Sequence, residues 1–228
     1  MDFRIISIGT LASNPLWDEK GGAGVRTGHA TCTLVRSGKK TILVDPGLPP
    51  QVIAARLNER AGLRPADITH IFLTSFKPDT MRGVMGFDHA TWWVSHDERE
   101  AIGVPLVGSL HKAAAEDDPE LVRALEQDVA VLRRCEPAPD HLAEGVDLFP
   151  LPGVTPGTCG LLLAGPRSTT LICGDTVPTV EHLDKGMVLQ QAADVIRARE
   201  SFGEAVEIAD YLILGRDNLV PNPIKRPF

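Results

Sequence analysis

Apolar residues fall along this chain in short runs separated by glycine, proline and charged turns. Residues 3–9 (FRIISIG) predict a first strand. Residues 30–36 and 41–45 (ATCTLVR and TILVD) flank the polar turn Ser37-Gly38-Lys39-Lys40 and read as a hairpin. Further strands are expected at 68–74 (ITHIFLT), 91–95 (TWWVS), 146–151, 159–164, 169–173 and 211–214. Helical spacing is seen in three places. Residues 50–60 carry Val52, Ile53, Ala55 and Leu57, with Gly62 placed as a C-terminal cap. Residues 119–134 begin with a proline suited to a first turn and align Leu121, Leu125, Val129 and Leu132 in one stripe. A long helix is expected over 189–209, and a short one after the loop that begins at Ser75. Trp92 and Trp93 are adjacent on one strand and must face opposite layers.

This order of strands and helices suits an α/β (α+β) chain of two mixed sheets packed together with helices outside, among other layouts. No repeat of fixed period, low-complexity tract or linker divides the sequence, so residues 1–228 are expected to form a single domain. The formal net charge of −7 argues against a general nucleic-acid binder, which needs a basic face. No apolar run is long enough for a membrane span, and MDFRIISIG lacks the marks of a signal peptide. A cytoplasmic protein without a membrane partner is the expectation. Cys32, Cys135, Cys159 and Cys173 form no C-x-x-C pair, which predicts four reduced, inert thiols. The GGAG at 21–24 lacks the G-K-[ST] ending of a phosphate loop and reads as a loop over a pocket.

Four segments, taken in order, carry a family resemblance: TILVDPG at 41–47, IFLTSFKPDTMRGVMGF at 71–87, LPGVTPGTCGLLL at 151–163 with LICGDT at 171–176, and YLILGRDN at 211–218. With the N-terminal hairpin they span nearly the whole chain, and together they resemble the metallo-β-lactamase superfamily, which includes glyoxalase II and many small hydrolases. The resemblance implies a four-layer αββα sandwich, a zinc-dependent hydrolase site, and room for a homodimer, which is common in that family. It also shows where this chain departs. The family loop reads roughly T-H-x-H-x-D-H; here it reads Thr74-Ser75-Phe76-Lys77-Pro78-Asp79-Thr80. Ser75, Lys77 and Thr80 therefore stand at histidine positions. Val154 stands at a fourth and Arg216 at a fifth, while both family aspartates remain as Asp79 and Asp175.

These exchanges change the chemistry that the resemblance implies. Zinc sites use at least three nitrogen, sulfur or carboxylate ligands, and two carboxylates do not suffice. An ammonium or guanidinium beside a divalent cation is repelled by roughly 4 kcal/mol at about 4 Å near a protein surface. An oxygen site for magnesium or calcium on Asp79, Asp175, Ser75 and Thr80 faces the same repulsion. No metal or cofactor is expected. Without metal, two close carboxylates need compensating charge, and Lys77 and Arg216 supply it as internal salt bridges. The pocket of Ser75, Lys77, Asp79, Thr80, Val154, Asp175 and Arg216 then reads as a vestigial site for a small anionic molecule or a protein partner. The rival reading is a metal-independent hydrolase. In it Asp79 or Asp175 serves as acid or base, Ser75 with Lys77 as nucleophile and base, and Lys77 with Arg216 as electrophilic groups. Aspartates that merely hold turns are the simpler account of Asp79 and Asp175. His182 follows Asp175 by seven positions and could build a new metal site, though an exposed loop histidine is the plainer expectation.

Overall fold

Consecutive apolar residues in the strands point to alternate layers, and this sets the architecture. The computed structural model describes residues 1–19 and 26–225. One sheet contains β1 (Asp2–Ser7), β2 (Cys32–Ser37), β3 (Lys40–Val44), β4 (His70–Leu73), β5 (Thr91–Val94) and β6 (Glu136–Pro137), in that spatial order. The other contains β7 (His141–Ala143), β8 (Val146–Pro150), β9 (Cys159–Ala164), β10 (Thr169–Ile172), β11 (Tyr211–Ile213) and β12 (Leu219–Pro221). In the first sheet β3, β4, β5 and β6 run parallel. In the second, β10 and β11 are parallel within an otherwise antiparallel sheet.

The two sheets share a core of Val35, Ile42, Val44, Phe72 and Trp93 against Leu142, Val146, Leu161, Leu163, Ile172 and Ile213. The alternate residues, Leu34, Leu43, Ile71, Leu73, Trp92 and Val94, face outward beneath α1 (Pro50–Ala61) and α4 (Pro119–Arg134). On the far side Leu171, Leu212 and Leu214 pack under α5 (Val180–Lys185) and α6 (Val195–Ile208). Sheets covered on both faces read as unbroken apolar runs, which explains TILV and IFL. The chain is thus the expected αββα sandwich. Trp92 lies under α4 with the Arg134 guanidinium 4.1 Å from its ring centre, and Trp93 lies between the sheets.

Three local expectations are corrected. Residues 96–115, for which no element was expected, form the long helix α3 (His96–Ala115), capped by the Ser95 hydroxyl on the Glu98 amide. Gly103, Pro105 and Gly108 hide it from a propensity reading. The last long helix starts at Val195 rather than 189, because Asp194 caps it at the amides of Ile196 and Arg197. The turn before Asp194 is instead bonded by Ala193 N–H and Asp194 N–H to the carbonyls of Val154 and Gly153. In α4, Leu121 is exposed, and the buried stripe lies nearer the C-terminal end, at Val129, Val131 and Leu132. The GGAG stretch lies outside the described residues. Cys32, Cys135, Cys159 and Cys173 are free and buried, and burial raises their thiols, to about 12 for Cys135 and Cys159. Among the described residues no helix is long and apolar enough to cross a membrane.

Gly47 shows how tightly one end of the sandwich is closed. A Cβ there would lie 2.1 Å from the Asp79 carbonyl oxygen. Gly47→Ala must push back the loop that carries Lys77 and Asp79. A loss of roughly 1–3 kcal/mol in urea unfolding is expected, as for overpacked cores.

Candidate functional site

Four loops meet at that end of the molecule, and each follows the carboxyl end of a strand paired in parallel with a neighbour. Asp45 follows β3, Thr74–Asp79 follow β4, Asp175 follows β10 and Arg216 follows β11. Main-chain bonds hold these loops in place, two of them across the two sheets and one within the first. Cys159 N–H donates to Thr74 O at 2.9 Å, Thr31 N–H to Gly215 O at 2.8 Å, and Ala30 N–H to Asp79 O at 2.9 Å.

Arg216 lies at the centre, with its side chain only 1% exposed. Its Nε donates to Asp175 Oδ1 at 2.6 Å and its Nη2 to Asp175 Oδ2 at 2.7 Å, a two-pronged ion pair. Its Nη1 lies 2.6 Å from Asp79 Oδ2, an ion contact outside hydrogen-bond alignment. Lys77 Nζ donates to Asp175 Oδ2 at 3.1 Å. The sequence thus placed Lys77, Asp79, Asp175 and Arg216 in one cluster, and the structure joins them. Burial works to raise the Asp175 carboxyl, but Arg216 and Lys77 more than offset it and hold it well below the usual carboxylate range. Burial likewise opposes the Arg216 charge, and Asp175 and Asp79 outweigh it, raising the guanidinium further.

The remaining expected site residues do other things. Thr80 Oγ1 sits 2.8 Å from the carbonyls of Ser75 and Lys77 and locks the turn that presents Lys77. Ser75 is fully buried, and its hydroxyl has no hydrogen-bond partner among the described residues. The Ser75–Lys77 pair is therefore not made: the amine is on Asp175. Val154 packs with Leu11 and Leu189 in a small apolar cluster. His182 is not an exposed loop residue; it is buried in α5, its Nδ1 2.9 Å from Thr179 Oγ1.

Two carboxylates at this end were not singled out from the sequence. Asp45 has φ 49° and is buried, accepting from Thr74 N–H at 2.8 Å and Thr74 Oγ1–H at 2.7 Å. Burial pushes its carboxyl up to about 7, against the pull of those donors and of Arg216. Glu98, at the start of α3, accepts from Phe76 N–H at 2.7 Å, Thr155 Oγ1–H at 2.6 Å and Gly157 N–H at 3.1 Å. It fixes the Ser75–Lys77 loop against the 153–157 turn. The spacing Ser95-x-x-Glu98, a helix-start signature, was the available signal.

A family model described as the metallo-β-lactamase superfamily matches residues 25–193, and the chain belongs to that superfamily. Among solved structures, a Thermotoga maritima protein assigned to the metallo-β-lactamases has TM-score 0.67 at 18% identity, covering 96% of this chain and 98% of that one. AidC, a dizinc quorum-quenching lactonase, has TM-score 0.63 at 20% identity, covering 85% of this chain and 73% of that one. The hydrolase AbOPH has TM-score 0.65 at 19% identity, covering 100% and 92%. No curated protein matches the sequence. At these identities the neighbours share the fold.

The residues present do not fit the zinc that the family uses. Both oxygens of Asp175 are engaged by cationic nitrogens, and Oδ2 of Asp79 is in contact with another. At the positions that the resemblance assigns to histidines, Ser75, Lys77, Thr80, Val154 and Arg216 offer no imidazole. Among the described residues no group of three or more His, Cys, Asp or Glu is arranged to hold a metal ion.

Two outcomes follow from this electrostatics. Arg216→Met strips the shared cation from two carboxylates and is expected to cost about 3–5 kcal/mol in chemical denaturation, as for a broken buried pair. Adding Asp175→Asn to Arg216→Met should recover part of that loss, because one orphaned charge is gone. The second outcome concerns pH. The folded state keeps the Asp45 proton up to about 7, whereas an unfolded aspartate releases it near ~3.9. The native state therefore binds more protons in that window, and stability falls as pH rises through it. Asp175 has the opposite sign: its contribution is present above the unfolded value and lost as the medium becomes strongly acidic. Asp45→Asn should flatten the pH 4–7 slope in melting curves, and an unchanged slope would assign it to other groups.

Proposed function

We propose that this protein keeps the superfamily fold but has exchanged the metal centre for an internal ion-pair network, and that it acts by binding rather than by metal-dependent hydrolysis. One observation carries this reading: a guanidinium, nearly sealed from solvent, lies between the two carboxylates that the family uses as metal ligands. Two cations and two carboxylates cancel, so the network is complete without an ion.

The pocket ligand is a small anionic molecule or an acidic segment of a protein partner. Lys77 supports this choice. Its side chain is 26% exposed, and an ammonium has three donors, of which Asp175 takes one. Arg216 is spent on its carboxylates and offers an anion nothing. The metal-independent hydrolase draws less support from the geometry. Asp175 is held ionised with both oxygens occupied, which makes it a poor base, and Ser75 is buried away from the amine.

Metal analysis by elemental mass spectrometry tests the first half of this reading. Protein incubated with zinc and manganese and then desalted should carry far less than one metal per chain. Stoichiometric metal would refute the exchange. Calorimetric titration with inorganic phosphate and with acetate tests the second half. Binding that weakens in Lys77→Met is the expected result, and binding indifferent to that change would place the ligand elsewhere.

A further inference from the structure

Beside the ion-pair network, and using none of its residues, lies a separate cavity of about 110 Å³ between the 11–16 segment and the 187–191 turn. Its lining is mixed: Leu11, Leu16, Met187 and Leu189 are apolar, and Ser13, His182, Gln190 and Gln191 are polar. Leu11 and Leu189 reach across to Val154, so one wall is continuous with the old metal pocket.

His182 is 5% exposed, and its ring is set by a relay. Thr179 Oγ1–H donates to Glu181 Oε2 at 2.7 Å. That uses the one hydroxyl proton, so the 2.9 Å contact between Thr179 Oγ1 and His182 Nδ1 requires the proton on Nδ1. The opposite ring nitrogen, Nε2, is left with its lone pair; the one side-chain hydrogen bond of His182 among the described residues is made through Nδ1, and His182 lines the cavity. Burial favours the neutral ring, and Lys185 adds to that, while Glu181 and Asp175 pull the other way without reversing it.

We infer that this cavity is a binding site for a small uncharged molecule that rests an apolar part on Leu11, Leu16, Met187 and Leu189 and carries a hydroxyl or N–H donor, which His182 Nε2 accepts. A carboxylate or phosphate is the wrong partner, because it would set its lone pairs against that of Nε2. The site differs in both place and ligand chemistry from the anion site at Lys77, so either can fail without the other.

Phenol, toluene and benzoate serve as probes on the full chain labelled with ¹⁵N-histidine. At neutral pH the Nε2 resonance of His182 is expected at its unprotonated position. It should move as phenol is added. Toluene, which lacks the donor, should bind roughly tenfold more weakly than phenol, about the worth of one hydrogen bond, and benzoate should not displace phenol. His182→Phe should lose the preference for phenol over toluene. Met187→Trp, which fills the cavity from its rim and leaves the relay intact, should abolish phenol binding while the Nε2 resonance stays in place. The inference is overturned by a proton on Nε2, by no phenol binding, by equal binding of phenol and toluene, or by benzoate competing with phenol. It is equally overturned if folded His182→Phe keeps the phenol preference, or if folded Met187→Trp still binds phenol.

Discussion

A guanidinium removed from water and held between two carboxylates is the constraint on which this end of the molecule depends. Desolvating Arg216 and Asp175 costs several kcal/mol per ion, and only close pairing with aligned donors offsets it. The two-pronged contact with Asp175 meets that requirement, with Lys77 and Asp79 closing the charge balance around it. Every loop in the cluster must therefore arrive in register, and the main-chain bonds between the sheets supply that register. Asp175 lies on one sheet's loop and Asp79 on the other's, so Arg216 also joins the two halves of the sandwich.

Glu98 plays a comparable part on the neighbouring side. Three donors from two separate loops converge on one buried carboxylate at a helix start, where the helix dipole also favours its charge. The Ser75–Lys77 loop is thereby fixed from behind by Glu98 and from in front by Asp175. The sandwich is shared with lactonases and other hydrolases, and its core layers are built apart from this charged cluster, so one fold can carry different groups at this end. The three core layers are apolar, aliphatic and aromatic side chains with Cys32, Met81, Cys135, Cys159 and Cys173 among them.

The strands were readable in the sequence because strands covered on both faces leave unbroken apolar runs, and the four layers followed from the family resemblance that TILVDPG and LICGDT help to carry. The pairing of Lys77 and Arg216 with Asp175 and Asp79 was also readable, once the family resemblance had put the four at one site and charge balance was applied to them. Helix α3 was not, since Gly103, Pro105 and Gly108 depress its propensity and its faces barely differ in polarity. Asp45 escaped notice because a strand-ending D-P-G reads as a turn; only the fold shows that its carboxyl is enclosed with Thr74. His182 was misread because α5 is short, and the Gly186 that ends it with φ 60° was not weighed as a cap.

The sequence separation inside the cluster has a consequence for synthesis. The hydroxyl of Thr31 bonds the carbonyl of Asp217 across 186 positions, and Arg216 sits next to that contact. Lys77 and both carboxylates are made before Arg216, the cation that lies between Asp79 and Asp175. On a growing chain Asp79 and Asp175 must stay hydrated until β11 and its loop emerge, so this end of the sandwich cannot close around a partial polypeptide. The order of translation thus makes Arg216 a checkpoint: the site becomes dry only once the segment that balances its charge has arrived.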